Sequence, residues 1–566
     1  MKNSETLRNT LRQIDHKPYP NYKRLKGQYS FDNYILSIDH VQGDPFAAPS
    51  KLSICVSGEI AQFPPELYRL KVQKIALEDY LLRTVSHHLK EISFQARGSG
   101  KSGLLDITKP GQEILERSSS NIDPANGNVT IHFEAGFPAF GRTINSGELE
   151  YMIFDLLPPA VNQSLYYQNL DAESLKRTAN LAEDQEFIRT SLRERHLVAF
   201  VSNGSILPRE TGISDIPMQS PPAVLFKSPE TMEIELNLPN NGQIKGMGIP
   251  VGVTLIVGGG YHGKSTLLEA LQLGVYNHIA NDGRTFVITD ETAVKIRSED
   301  GRFIKNVDIS MFINGLPNGK DTVHFTTDDA SGSTSQAAGV IEAIEAGTRL
   351  LLIDEDTSAT NFMVRDELME RVVARSQEPI TPYIQRIREL YEKYGVSSIV
   401  VAGSSGSFFH VADLVVQMNQ YQPYEITQLA KTEANNFPLN NIGPPEISPS
   451  FDRVFFKNKD FNRNDRFKIK VMGTNILSIN RDEIDLKYVE QIVDSEQALM
   501  LALIVKYVEL YILDGKKTLK QAVDIVEKNI NEKGFNWLYD DFNRNSRLAV
   551  PRRFEIFACL NRFRKL

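Results

Sequence analysis

Hydrophobic and polar positions divide the chain into three regimes. From about residue 220 to 430, short apolar runs alternate with stretches of helical spacing, a pattern that predicts strands and helices in turn. Gly252-Val253-Thr254-Leu255-Ile256-Val257 predicts a short buried strand, and Thr266–Leu273 a helix opening behind it. Ala337–Ala346 predicts another helix, and Leu350-Leu351-Leu352-Ile353 another buried strand, which ends on Asp354 and Glu355. Such alternation points to an α/β core.

The flanks read differently. Before the core, Tyr34–Ile38 and Leu52–Val56 are strand-like, Leu70–Leu89 predicts a helix, and Leu157-Pro158-Pro159 is a breaker that closes the first segment. Charged and apolar residues recur at helical spacing from Asp171 to Arg195. After the core, Phe437-Pro438, Gly443-Pro444-Pro445 and Ser448-Pro449-Ser450 read as a linker, and Val489–Leu513 and Leu519–Asn529 as helices. The expected domains are an N-terminal α+β domain (1–165), an α/β core (166–435) and a mainly helical, basic C-terminal domain (455–566). No internal repeat or low-complexity tract interrupts them.

Composition narrows the classes. A length of 566 residues suggests roughly three to four domains. A net charge of −8 and a pI near 5.8 argue against a protein basic overall, so any nucleic-acid contact needs a local patch. Cys55 and Cys559 are the only two cysteines. They are too few for a disulfide scaffold or a zinc site, which suits a reducing, cytoplasmic setting. Met1–Glu5 lacks a signal-peptide pattern, and the apolar stretch Ala498–Val505 is too short to span a bilayer. No membrane association is expected.

Gly258-Gly259-Gly260-Tyr261-His262-Gly263-Lys264-Ser265 follows the first core strand and spells G-x-x-x-x-G-K-[ST], a phosphate-binding loop. The glycines let backbone N–H groups converge on phosphates, and the helix opening at Thr266 adds its positive end. Lys264 is expected to neutralise phosphate charge and assist catalysis, and the Ser265 hydroxyl to ligate Mg2+. His262 reads equally as a nucleotide neighbour or a packing residue. Gly98-Ser99-Gly100-Lys101-Ser102 is a weaker look-alike, with Gln95 where the first glycine belongs. It reads as a flexible loop, with a supplementary substrate contact left open.

Asp354, at a strand's carboxyl end, is expected to hold Mg2+, and Glu355 to orient or deprotonate an attacking water. Asp329-Ala330-Ser331-Gly332-Ser333-Thr334-Ser335-Gln336 opens a helix with capping residues and can serve as an anion site. Ser331 precedes Asp354 by 23 residues, close to the separation between the LSGGQ signature and Walker B in ATP-binding-cassette ATPases.

The chain as a whole resembles the predicted ABC-class ATPase family. The likeness is carried by Val41–Ser50, Gly246-Met247-Gly248-Ile249-Pro250, Ala330–Ala338, Asp354–Met363 and Glu378-Pro379-Ile380-Thr381-Pro382. It thins after about residue 435. The resemblance implies an ABC-type P-loop core that binds ATP and Mg2+ between two copies of the chain, a homodimer. Ser331, Gly332 and Ser333 of one copy would touch the γ-phosphate held by the other. ATP would join the halves and hydrolysis would release them. Some positions depart from the pattern. Asp356 stands where the cassette D-loop usually has proline. No histidine follows Ser398-Ile399-Val400-Val401 at the switch position, so Ser404 or Ser405 is expected to contact the γ-phosphate, with His410 structural. No glutamine follows Phe286–Thr289, leaving Asp290 or the stretch Lys295–Arg302 to replace it.

Two runs are basic and aromatic. One holds Arg544, Arg547, Arg552, Arg553, Arg562, Arg564 and Lys565 with Phe542, Phe554, Phe557 and Phe563; only Asp541 and Glu555 oppose them. The other holds Lys457, Lys459, Arg463, Arg466, Lys468 and Lys470 with Phe455, Phe456, Phe461 and Phe467. Cations neutralise phosphates and aromatic faces stack on bases, which points to RNA or single-stranded DNA. The alternatives are a solvated amphipathic surface and a protein-clamping role. A small-molecule kinase is disfavoured by the signature and D-loop elements.

Overall fold

The computed structural model describes residues 1–365, 372, 378–437, 447–459, 467–539 and 547–566. They form two compact units, Met1–Asp184 with Tyr539–Val550, and Gln185–Leu538 with Pro551–Leu566. No helix among the described residues is long and apolar enough to cross a membrane.

The first unit is built on a seven-stranded sheet. Across it run Lys2–Asn3, Gly27–Ser30, Ile35–His40, Ser50–Val56, Val129–Ala135 and Leu105–Asp106, with Ser120–Ile122 also on Val129–Ala135. Only the first pair is parallel. Val129–Ala135 alternates buried and half-buried positions, as a strand with one face on a core must. Helix Lys71–Ile92 buries Leu77, Leu81, Leu82, Val85 and Leu89 in that core, together with Leu52, Ile54, Ile131 and Phe133.

Two local expectations change here. Leu157-Pro158-Pro159 does not break the chain's helical course. Ser146–Tyr151 passes through a π-helical turn at Met152–Leu156 into helix Leu157–Leu165. The prolines fall where the π-helical turn gives way to the α-helix, a change of register that accommodates their missing N–H groups. The look-alike loop at Gly98–Ser102 is a packed turn whose amides are already used: Ser99 N–H donates to Ala139 O at 2.8 Å and Lys101 N–H to Pro45 O at 2.9 Å. It offers no phosphate cradle. The segment from Arg547 to Val550 also belongs to this unit. Arg547 pairs with Asp106 at 2.9 Å, and Leu548 N–H donates to Ser118 Oγ at 2.8 Å.

The second unit contains the α/β core. Its six-stranded sheet runs Val294–Ile296, Leu350–Asp354, Ser397–Val401, Val253–Val257, Leu414–Asn419 and Gln422–Glu425. All pairs are parallel except the final hairpin. The three central strands are almost wholly buried, as a parallel sheet covered on both faces requires. A four-stranded antiparallel sheet, Glu233–Leu238, Gly242–Pro250, Leu197–Ser202 and Val287–Thr289, accompanies it.

The C-terminal region packs within this second unit. Helices Ser495–Tyr507, Leu519–Lys533 and Arg553–Arg562 are joined by a three-stranded antiparallel sheet, Ile469–Met472, Ile476–Ile479 and Asp482–Asp485. That small sheet was not read from the sequence. Its strands are four residues each, too short for alternation to stand out. Ser495–Tyr507 continues as a π-helical turn through Ile512. Part of the linker expectation, 438–446, lies outside the described residues.

One buried acid makes the first unit's stability sensitive to pH. Glu78 is 5% exposed and accepts hydrogen bonds from Lys74 Nζ at 2.5 Å and Ile122 N–H at 2.7 Å. Burial pushes its carboxyl up to about 7, against the pull of Lys74. A raised folded value contributes stability below the unfolded value of about 4.5, and that contribution is lost as pH rises through about 7. Between pH 5 and pH 7.5, Glu78→Gln should therefore flatten the fall in thermal stability of this unit, by on the order of 1 kcal/mol or more. Thermal unfolding of both chains at the two pH values checks it; parallel losses would remove Glu78 as the cause.

Candidate functional site

The glycine-rich loop is shaped by what surrounds it. Strand Val253–Val257 leaves the sheet at Gly258, whose φ is +140°. A Cβ there would lie 2.4 Å from Met418 O, so only glycine fits. The chain turns through fully exposed Tyr261 and through Gly263 at φ +93°, then enters helix Lys264–Leu273. No side chain caps that helix start, which leaves first-turn N–H groups for an incoming anion. Lys264 Nζ donates to Gly258 O at 2.7 Å and Gly259 O at 2.8 Å, which folds its ammonium over the loop. Ser265 and Thr266 occupy the first turn. His262 Nδ1 accepts the Gln420 N–H at 2.8 Å, so the ring is tied to the neighbouring hairpin. Beside the loop lies a cavity of about 240 Å³, lined by apolar side chains including Leu207, Pro208, Phe226 and Met418, and by Thr266 and Tyr421.

Asp354 and Glu355 are sequence neighbours in contrasting surroundings. Asp354 is 6% exposed. Burial pushes its carboxyl above the usual range, against the pull of Lys295, the Asp356 N–H and Lys264. Glu355 accepts four hydrogen bonds: from Gly403 N–H at 2.6 Å, Ser404 N–H at 3.0 Å, Ser404 Oγ at 2.8 Å and Ser405 Oγ at 2.5 Å. Partial burial opposes its charge, but the bonds from Ser405, Ser404 and Gly403 outweigh that and hold it below the usual range. The serine loop beyond strand Ser397–Val401 thus reaches the second acid. His410 ends the short turn Gly406–His410 and is not among those four donors.

The Ser331 cluster opens helix Gly332–Ala346, whose start has no side-chain cap hydrogen bond. Ser331 Oγ lies 2.9 Å from Thr334 Oγ1 and 3.4 Å from Ser333 Oγ. Gly332 packs so closely on Ser298 that a Cβ would lie 2.1 Å from its Oγ. Gln336, fully buried, was missed by the sequence reading. Its Nε2 donates to Ser358 Oγ at 2.8 Å and its Oε1 accepts the Ala359 N–H at 2.9 Å. Ser298 N–H donates to Thr357 O at 3.0 Å. The segments after strands Val294–Ile296 and Leu350–Asp354 are thereby stitched to the helix start.

The candidates for the missing glutamine separate cleanly. Asp290 pairs with Arg349 at 2.9 Å and caps Thr292, a structural use. The Lys295–Arg302 stretch lies beside the site. Lys295 has a side chain 7% exposed, 3.9 Å from Glu490, and burial holds its ammonium below the usual lysine range while Glu490 and Asp354 oppose that.

The basic runs are largely engaged. Arg552 pairs with Glu555 at 2.6 Å, Arg553 with Asp524 at 2.7 Å, Arg562 with Glu299, and Lys565 with Asp482 at 3.2 Å. Phe554, Phe557 and Phe563 are buried. Arg564 stays half exposed. In the other run, Phe455 is buried, Phe456 is 73% exposed, and Lys457, Lys459, Lys468 and Lys470 are exposed. Phe467 stacks under Lys506. Asp541, Phe542, Arg544, Phe461, Arg463 and Arg466 lie outside the described residues.

Three family models match the chain in succession. Residues 4–168 match the family described as ATPase of the ABC class N-terminal, residues 171–448 the ABC ATPase P-loop domain, and residues 468–566 the MRB1590 C-terminal domain. The uncharacterized protein MJ1628 of Methanocaldococcus jannaschii is 33% identical over 235 residues, 39% of this chain and 50% of that protein. The match thus spans about half the length of that curated relative. Among solved structures, MJ1267, an ATP-binding cassette of an ABC transporter in its ADP conformation, is 14% identical with a TM-score of 0.23, over 34% of this chain and 88% of that one. An inward-facing metal-chelate-type ABC transporter is 15% identical with a TM-score of 0.25, over 40% and 82%.

The loop's dependence on glycine is testable. Gly258→Ala should cost about 1–3 kcal/mol of stability through its positive φ and the Met418 carbonyl. Gly260→Ala, which meets nothing within 4 Å, should be nearly neutral. Denaturant unfolding of both variants decides; equal effects would dismiss the steric account.

Proposed function

The chain belongs to the ABC-class ATPase family, and on that footing we propose that it hydrolyses ATP at composite sites shared by two copies of itself. The observation that carries this reading is the pairing of the Lys264 loop with Glu355, held by four donors two strands from the loop's own strand. The residues present suit a magnesium-nucleotide. The Gly258 cradle excludes any side chain, the helix at Lys264 starts uncapped, and Asp354 is a buried carboxylate in want of a cation. Lys264, Ser265, Thr266 and the loop amides of Gly258–Gly263 would hold the phosphates; Ser265 and Asp354 would hold Mg2+, which supplies charge neutralisation when bound. The apolar cavity beside Tyr421 would take the base.

Glu355 is the group placed to accept a proton from the attacking water. Its low basicity here comes from the Gly403–Ser405 bonds, and Ser404 would exchange its bond to Glu355 for one to the γ-phosphate. Ser331, Gly332 and Ser333 serve the partner copy. Their helix lies against edge strand Val294–Ile296, with Gly339 facing Ile296. That edge is three strand spacings from Val253–Val257, about 14 Å, which leaves the Ser331 end to cap a neighbour's phosphates. A homodimer follows.

Three variants test the site as a unit. Lys264→Ala should remove most ATP affinity by deleting a phosphate-paired charge, and Glu355→Gln should keep ATP bound, slow turnover by about 100-fold or more and accumulate closed dimers. Ser331→Arg should silence the partner's site, so mixing it with Lys264→Ala should restore at most one working site per dimer. Subunits that hydrolyse independently in such mixtures would defeat the shared-site reading.

ATP-driven closure is proposed to control a grip on RNA or single-stranded DNA. Support comes from exposed Phe456 with Lys457, Lys459, Lys468 and Lys470, rather than from Arg552, Arg553 and Arg562, whose charges are paired internally. Binding of the full-length chain to single-stranded RNA should weaken steeply between 50 and 200 mM salt, and Phe456→Ala with Lys457→Ala should weaken it further. Salt-independent binding, or none, would favour the protein-clamping alternative.

A further inference from the structure

The segment Tyr488–Gln491 of the C-terminal region is wedged between two elements that lead to the phosphate site. The Gln491 side chain donates to Gln272 O at 3.0 Å and Ala293 O at 3.1 Å, and accepts the Lys295 N–H at 3.1 Å. Gln272 Nε2 donates to Glu490 O at 3.1 Å, and Tyr276 Oη to Gln491 O at 2.7 Å. Gln272 lies on the helix that Lys264 begins. Lys295 lies on the edge strand beside Leu350–Asp354. One short segment therefore clasps both walls of the site from behind.

Register shows what the clasp holds. Lys295 pairs with Leu352, and Ile296 with Ile353. Paired residues share a face, and residues two apart on one strand share it too. Lys295 thus sits on the same sheet face as Asp354. Its Nζ is 3.9 Å from Glu490 Oε2, and Arg297, two residues on, pairs with the same carboxylate and stacks on Tyr488 at 4.4 Å. Glu490 is within ion-pair reach of this buried ammonium, and Asp354, on the same sheet face, attracts it electrostatically.

We propose that Lys295 is a positioning residue shared between Asp354 and Glu490, which couples divalent-cation binding at the phosphate site to the grip of the Tyr488–Gln491 segment. The inference rests on the reading of Asp354 as the cation ligand. Without a divalent cation, Lys295 supplies positive charge to Asp354. With one in place, like-charge repulsion drives the ammonium toward Glu490 and tightens the clasp. Coupling of this kind is reciprocal, so a load that pulls on the C-terminal region loosens the cation, and cation binding stiffens the region.

The test is a double-mutant cycle on the full-length chain at constant ionic strength. The readout is the Mg2+ concentration that half-saturates binding of a fluorescent, non-hydrolysable ATP analogue; its binding in EDTA is measured alongside. Lys295→Met removes a competitor for Asp354 and should lower the Mg2+ requirement about fivefold. Glu490→Gln releases Lys295 toward Asp354 and should raise it by a similar factor. In the Lys295→Met background, Glu490→Gln should lose most of its effect, since the ammonium it frees is gone and only Arg297, the carboxylate's other partner, remains. Binding in EDTA should be the same for all four proteins, which a merely destabilised site would not achieve. A Glu490→Gln effect that persists undiminished without Lys295, or a raised Mg2+ requirement in Lys295→Met, overturns the proposal. Lys295→Gln carries the same arm where Lys295→Met fails to fold. If wild type shows no Mg2+-dependent binding of the analogue, it is the reading of the site that falls.

Discussion

Two adjacent carboxylates at the end of one buried strand stand in contrasting surroundings, one raised by burial and the other held ionised by four donors. Leu350–Asp354 is hydrogen-bonded on both sides by parallel neighbours and buried along its length. The strand ends at Asp354, and Glu355 opens a short 3-10 turn, Glu355–Thr357, from which its carboxylate meets the Gly403–Ser405 loop after the next strand. Burial with cations nearby suits the first to a metal; four convergent donors hold the second as an oriented carboxylate. Divergent environments of this kind separate acid, base and ligand roles.

The rest of the site is held by small residues and side-chain amides rather than by bulk. Gly258 passes under Met418 O, Gly332 passes under Ser298, and Gln336 ties Ser358 and Ala359 to helix Gly332–Ala346. A buried amide that satisfies both its ends costs little and orients everything it touches. Through Ser298 and Thr357 the segment beside the edge strand joins the same network, and through Gln491 the C-terminal region joins it from behind.

The terminal arginines show how local charge can mislead. Seven cations against two acids over one short stretch read as a surface for phosphates. In the folded chain Arg552 and Arg562 are tucked against the core, with Glu555 and Glu299 as partners, and Phe554, Phe557 and Phe563 are packing. Glu299 stands hundreds of positions upstream, so no window of sequence could have balanced that charge. The lysines around Phe456 keep their exposure, and they carry what remains of the nucleic-acid proposal.

Much was legible from spacing alone. A β-branched run closed by glycines, a Lys-Ser pair opening a helix and an apolar run ending in two acids each specify a local structure through short-range sterics and burial. The strand Val253–Val257, the helix after it and the strand Leu350–Asp354 stand where those patterns put them. Beyond the reach of pattern were the donors to Glu355, the amide clamp of Gln336, the tie between His262 and Gln420, and the approach of Glu490 to Lys295. Each is a contact between segments far apart in the chain, and its geometry exists only once the sheet order has brought them together. Local sequence determines which elements form and what chemistry they carry; the packing of those elements decides which groups meet, because charge and hydrogen bonding act over a few ångströms of space and take no account of distance along the chain.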